Sequence, residues 1–197
     1  MLSSYLDNAA TSFPKPEGVT DAVVQWLGTG AAAGRGSHSG SGRAAELLTQ
    51  CRTRLARFLG VPDYRQFIFT QNCTDSLNQV LLGLLKPGDR VIASTLDHNS
   101  VLRPLEWLRE SAGLEVSIVD FDPATGLIRL DEFETALKER PTKLVVLTHA
   151  SNVTGRIQQV AQLVGLARQH GALVLLDAAQ TVGHVPVHFQ SLDIDFL

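Results

Sequence analysis

The segment ALVLLDAAQ, residues 172–180, carries an aspartate, Asp177, straight out of the end of an apolar run. An ionised carboxylate in such a place costs several kcal/mol, the order of the penalty for burying a charge, unless a partner meets it. A cationic ring nitrogen is such a partner, and Gln180 could then give its amide to an oxygen of the same ring. Three further loops follow predicted strands in the same manner. In FTQNCTDSLNQ, residues 69–79, short polar residues stand between strand and helix. Thr74 or Asp75 is the candidate helix cap. The other reading is an anion cradle made of the Cys73 and Thr74 amides with the Thr74 hydroxyl, placed on the helix dipole. In STLDHNSVLRP, residues 94–104, His98 is either a surface residue or a flat imidazole able to stack on a planar ligand. In THASNVTG, residues 148–155, Asn152 either steadies its own turn or offers its amide to a substrate carboxylate. A phosphate cradle, a stacking imidazole and a carboxylate for a ring nitrogen together describe pyridoxal 5'-phosphate, the electron sink for chemistry on amino acids. The glycine patterns of a P-loop and of a dinucleotide fingerprint are both missing from the sequence.

The elements that must position these residues alternate. Strands are predicted at residues 66–70, 90–94, 115–120, 143–148, 172–176 and 195–197, and helices at about 17–27, 43–59, 76–85, 101–111, 131–139 and 159–170. Continuous apolar strands such as KLVVLT and ALVLLD predict a mostly parallel sheet covered on both faces, an α/β/α sandwich. Ligands of such sheets collect beyond the carboxyl ends of the strands, where all four loops lie. Residues 28–42, GTGAAAGRGSHSGSG, are too rich in Gly, Ser and Ala for regular structure, yet they hold Arg35 and His38, which a plain linker seldom needs.

With 44% apolar and 19% charged residues among 197, the chain reads as a folded globular protein. A formal charge of −3 gives no reason to expect nucleic acid or an anionic membrane. No apolar run is long enough to span a bilayer, and MLSSYLDNAATSF lacks the features of a signal peptide. Cys51 and Cys73 are the only cysteines, so a reducing, cytoplasmic setting is expected and the Asn152-Val153-Thr154 triplet carries little weight as a glycosylation site. No metal site is expected, because Pro186 between His184 and His188 argues against a helical pair of ligands.

YLDNAAT (5–11), RGSH (35–38), NCTDSLN (72–78), DHNSVL (97–102), HASNVTG (149–155) and DAAQ (177–180) occur in order. Together they resemble the N-terminal half of a class V aminotransferase, nearest to the cysteine desulfurases and the selenocysteine lyases related to them. The resemblance implies the large domain of a fold type I pyridoxal-phosphate enzyme, incomplete at its C-terminus, with residues 1–42 as an N-terminal segment and residues 43–197 as the cofactor-binding part. It implies that Thr74 and the Cys73 amide hold the cofactor phosphate, that His98 stacks on the ring and shuttles protons, and that Asp177 and Gln180 meet the ring nitrogen and the phenolic oxygen. Asn152 would meet the substrate carboxylate; Asn8, Ala9 and Ala10 would line the substrate side, and Arg35 and His38 the mouth. It also implies a homodimer acting on cysteine or selenocysteine, with a transaminase or epimerase, or a non-catalytic subunit with a partner chain, as alternatives. Asp97-His98 stands where many relatives have Glu-His, and Cys73 where Thr or Ala is usual, a packing residue rather than a nucleophile. The Schiff-base lysine of this family follows a segment resembling DIDFL, and Lys15, Lys86, Lys138 and Lys143 match no part of its motif. The chain as given is therefore expected to be inactive alone.

Overall fold

The computed structural model describes residues 4–197 other than Ala31, Arg35 and Ser37. The chain divides into two compact units, Met1–Phe67 and Ile68–Leu197.

In the first unit, helices α1 (Val19–Thr29) and α2 (Ser39–Leu59) precede a 3-10 turn, Tyr64–Gln66. Helix α2 begins inside the Gly/Ser-rich stretch expected to be irregular. His38 makes this possible: its ring accepts a hydrogen bond from the Ser41 amide, so a capped first turn tolerates SGSG. Gly60 ends the helix in the left-handed conformation with its amide returned to Ala56, a conformation that a side chain would strain.

The second unit is built on a sheet. In chain order it holds α3 (Cys73–Leu84), β1 (Arg90–Ser94), α4 (Asn99–Ala112), β2 (Glu115–Val119), β3 (Phe121–Asp122), β4 (Leu127–Ile128), α5 (Leu130–Glu139), β5 (Leu144–Thr148), α6 (Val160–Gln169), β6 (Leu173–Asp177) and α7 (Phe189–Leu192). Among the described residues the main sheet runs β2-β1-β5-β6, with every pairing parallel. Side chains alternate between its faces. Leu144 and Val146 of β5 join Val91 and Ala93 of β1 in a core closed by Leu77 and Leu81 of α3 and Leu105 and Leu108 of α4. Val145 and Leu147 join Ile92, Val174 and Leu176 in a second core, closed by Phe133 and Leu137 of α5 and Leu163 and Val164 of α6. Each of these aliphatic side chains contributes about 1.5–3 kcal/mol by leaving water. Burial on both faces is the reason the strands read as unbroken apolar runs, and it makes the three-layer α/β/α sandwich expected from them.

Some expectations need correction. Residues 66–70 form no strand: the 3-10 turn ends at Gln66, and Phe67–Thr70 joins no sheet among the described residues. Residues 195–197 contribute a single bridge, Phe196 to Leu175 of β6, instead of a strand. The small antiparallel ladder of β3 and β4 was not expected. Its turn is set by Asp122, which accepts from the Ala124 amide at 2.9 Å, and by Gly126 at φ 70°, where Arg156 packs closely. No helix among the described residues is long and apolar enough to cross a membrane.

Candidate active site

The carboxyl ends of β1, β5 and β6 gather the polar residues of the second unit. Asp177 closes β6 and is 8% exposed. Its Oδ1 accepts from the Ala179 amide at 3.0 Å, and the Cys73 thiol at the start of α3 donates to the same oxygen at 3.7 Å. Strand register sets Thr148 beside Asp177, and the His149 amide donates to the Asp177 carbonyl at 2.8 Å. Cys73 and the Ala179 amide therefore fix this carboxylate, and β5 fixes the backbone that carries it. Partial burial, then the charge of Asp177 and the hydrogen bond to it, push the Cys73 thiol up to about 11. A thiol held protonated is no nucleophile.

Helix α3 is capped by Asn72, and not by Thr74 or Asp75: the Asn72 Oδ1 accepts from the Asp75 amide at 2.9 Å. The reason is a helix that starts at Cys73, two residues earlier than a Thr74 cap and three earlier than an Asp75 cap would allow. Cys73 and Thr74 then occupy the first turn, and their amides have no partner among the described residues. They lie at the positive end of the helix dipole, where an anion is favoured. Thr74, Asn78, His98, Ser100, Arg103 and Trp107 line an open groove of about 460 Å³ beside α3 and α4.

His98 is exposed and caps α4. Its Nδ1 accepts from the Ser100 amide at 3.1 Å and lies 2.8 Å from the Ser100 hydroxyl. A backbone amide can only donate, which places the proton of a neutral ring on Nε2. Asn152 sits in an exposed turn that Ser151 holds instead, its hydroxyl accepting from the Val153 and Thr154 amides at 3.2 and 3.3 Å. The Asn152 amide group makes no hydrogen bond among the described residues. Gln180 is half-buried in the turn after β6.

Two buried groups at this edge escaped the sequence reading. His149 is 7% exposed; its Nδ1 lies 2.9 Å from the Thr181 hydroxyl, and burial lowers its affinity for a second proton. Asp97 is 5% exposed, and its Oδ2 accepts from the Ser94 amide and hydroxyl at 2.6 and 2.8 Å. Its Oδ1 is buried without a partner. Burial pushes the Asp97 carboxyl up to about 7; the Ser94 hydrogen bonds oppose this, and the negative charge of Asp177 adds to it. The available signal was an acid shortly after the apolar run RVIAS, the same signal that singled out Asp177.

The remaining candidates lie in the first unit. The Asn8 Oδ1 accepts from the Phe13 amide at 3.2 Å, with Ala9 and Ala10 exposed in the same turn, and His38 caps α2. Arg35 lies outside the described residues. The structure thus joins Cys73, Asp97 and Asp177 at one sheet edge and sets Thr74 and His98 on one groove. The places of Asn8, Ala9, Ala10, Arg35 and His38 at a substrate remain expectations from the resemblance.

The chain is similar to known proteins along nearly its whole length. The chain is 35% identical over 198 aligned residues to a cysteine desulfurase of Escherichia coli O139:H28, an alignment covering 98% of this chain and 48% of that protein. It superposes on the apo structure of the cysteine desulfurase from Thermococcus onnurineus NA1 with a TM-score of 0.87 at 34% identity, over 96% of this chain and 47% of that one. For the Escherichia coli cysteine desulfurase CsdA the TM-score is 0.81 at 30% identity, over 97% and 48%. The chain spans about half the length of the curated relatives it matches. Its sandwich is the fold of these fold type I enzymes. The sequence pattern of the family described as aminotransferase class-V matches residues 4–197, and the chain belongs to that family.

Proposed function

We propose that the chain is the cofactor-recognising part of a pyridoxal-phosphate-dependent cysteine desulfurase, converting L-cysteine to L-alanine and leaving the sulfur on the enzyme. One observation carries this reading: the unpartnered Cys73 and Thr74 amides and the buried Asp177 carboxylate meet at one edge, tied by the Cys73–Asp177 contact. The donor set fits the cofactor. Two amides and a hydroxyl on a helix dipole suit a phosphate, and a buried anion suits a pyridinium. That its relatives are cysteine desulfurases supports cysteine as the substrate.

When bound, pyridoxal phosphate supplies an electron sink for bonds broken at the α- and β-carbons of an amino acid. The chain's residues do the rest. Thr74 and the first-turn amides bind the phosphate, and Asp177 accepts from the ring nitrogen and keeps it protonated. Gln180 donates to the phenolic oxygen. His98 covers the ring, with Nε2 as the nitrogen that exchanges a proton while Ser100 holds Nδ1. The Asn152 amide orients the substrate carboxylate. Residues 1–42 are assigned to the substrate side, through Asn8, Ala9, Ala10, Arg35 and His38, and residues 43–197 to cofactor binding, in a cytoplasmic homodimer. Lys86 precedes β1, Lys138 lies near the end of α5 and Lys143 precedes β5, all at the amino edge of the sheet and so opposite Asp177. The covalent link to the cofactor is not expected from these three, so cofactor binding by residues 1–197 does not by itself make an enzyme.

The test is to supply pyridoxal phosphate and L-cysteine to the full chain, measure alanine, then reduce with borohydride and map the labelled peptide. Residues 1–197 should bind the cofactor with no pyridoxyl group on Lys86, Lys138 or Lys143, and alanine should form only where a Schiff-base lysine is supplied from outside these residues. Amino-group transfer without alanine from cysteine would make the protein a transaminase, and failure to bind the cofactor would overturn the reading altogether.

A further inference from the structure

Asp97 has no part in the function just proposed, yet it is buried beside the residue on which that function most depends. Asp97 follows β1 and Asp177 ends β6, on either side of β5 at the same edge of the sheet, and there the charge of Asp177 disfavours a second anion on the buried Asp97. Its two oxygens are unlike. Oδ2 takes both donors of Ser94, while Oδ1 is buried with none. A proton on Oδ1 removes the charge and leaves both Ser94 bonds in place. The groups facing Asp97 are Ser94 from β1, the Thr148 amide from β5 and the Asp177 carboxylate from β6. The nearby ionisable groups are His98, next in sequence and tied to Ser100; His149, tied to Thr181; and Cys73, tied to Asp177.

We propose that Asp97 is a positioning residue that carries a proton on Oδ1, leaving Asp177 as the one carboxylate anion of the pair and directing its charge to the cofactor's ring nitrogen. Its cofactor half rests on the function proposed above. Asp97 touches no reacting atom; it acts through Asp177.

Isotope-edited infrared titration of the full chain without cofactor, from about pH 5 to about pH 9, reads the proton directly. A protonated aspartate band should disappear near neutral pH and be missing in Asp97→Asn. Asp177→Asn removes the neighbouring charge and should move that titration to lower pH. Pyridoxal phosphate should then bind Asp97→Asn within about twofold of wild type, because Asn is neutral and can keep the Ser94 bonds. The wild-type band does not depend on any variant folding. A missing band, a band that survives Asp97→Asn or a midpoint unmoved by Asp177→Asn overturns the proposal. So does a loss of about tenfold or more in cofactor affinity for a folded Asp97→Asn, which would mean that the anion is needed. A wild-type chain that shows the titrating band but binds no pyridoxal phosphate upholds the protonated pair and overturns the function instead.

Discussion

At the amino edge of the main sheet Arg90 is 5% exposed, and both terminal nitrogens of its guanidinium are bonded. It donates to the Ala136 and Arg140 carbonyls and the Thr142 hydroxyl from one nitrogen, and to Ser117 and Glu139 from the other, all within 3.3 Å. Arg168 and Asp195 close the same edge, the Asp195 Oδ2 accepting from Arg168 at 2.9 Å and from the Val174 amide at 2.7 Å. The carboxyl edge is built from the same strands and is left incomplete. There the Cys73 and Thr74 amides, the Asn152 side chain and the Asp97 Oδ1 have no partners among the described residues. Of these groups only the Asp97 Oδ1 is buried, where folded proteins leave few polar atoms unsatisfied; the others are open to solvent and to a ligand. One edge is closed by internal bonds, and the other is the edge to which the proposed function assigns the chemistry.

Substitutions at the two edges should therefore fail differently. Asp177→Asn should weaken pyridoxal phosphate binding on the order of 10²- to 10³-fold in a cofactor titration, the scale for removing one partner of a buried charge pair. Its effect on urea unfolding should stay within about 1 kcal/mol. Arg90→Ala should do the reverse, costing about 3 kcal/mol in urea unfolding by stranding several buried acceptors, with cofactor affinity within about twofold of wild type. A smaller effect concerns pH. The carboxyl of Asp97, raised to about 7 in the folded state, contributes stability that is full below its unfolded value, near 4. That stability is lost as pH rises through 7, because the folded chain binds the extra proton. Between about pH 5 and about pH 8, Asp97→Asn should lose less stability than wild type, by on the order of 2 kcal/mol in urea unfolding. The smallest effect is Asn72→Ala, which removes the α3 cap and should cost about 1 kcal/mol by the same measurement. An Arg90→Ala variant that lost the cofactor while keeping its fold would blur the contrast between the edges.

The sheet core and its flanking helices were readable because LVVLT and LVLLD bury alternate residues in different cores, and the flanking helices repeat their apolar positions at helical spacing. Residues 66–70 have the same strand composition but join no sheet among the described residues, which composition cannot reveal. The β3–β4 ladder is two residues per strand, too short to show alternation, and only its turn residues marked it. At the site, Asp177 stood out because a charge after an apolar strand is costly. Asp97 carries the same signal, but its link to Asp177 joins residues far apart in sequence, and only strand order brings them together. The cap of α3 turned on which of several polar residues comes first, a choice decided by the Asn72–Asp75 hydrogen bond.

The central claim is that Asp177 exists for a ring cation. Nitrogen-15 NMR of pyridoxal phosphate labelled in its ring and bound to the full chain reads that nitrogen directly. Wild type should show a protonated ring nitrogen above the pH at which the free cofactor loses that proton, and Asp177→Asn should show it deprotonated. An unprotonated nitrogen in wild type, or the same signal in both proteins, would contradict the account.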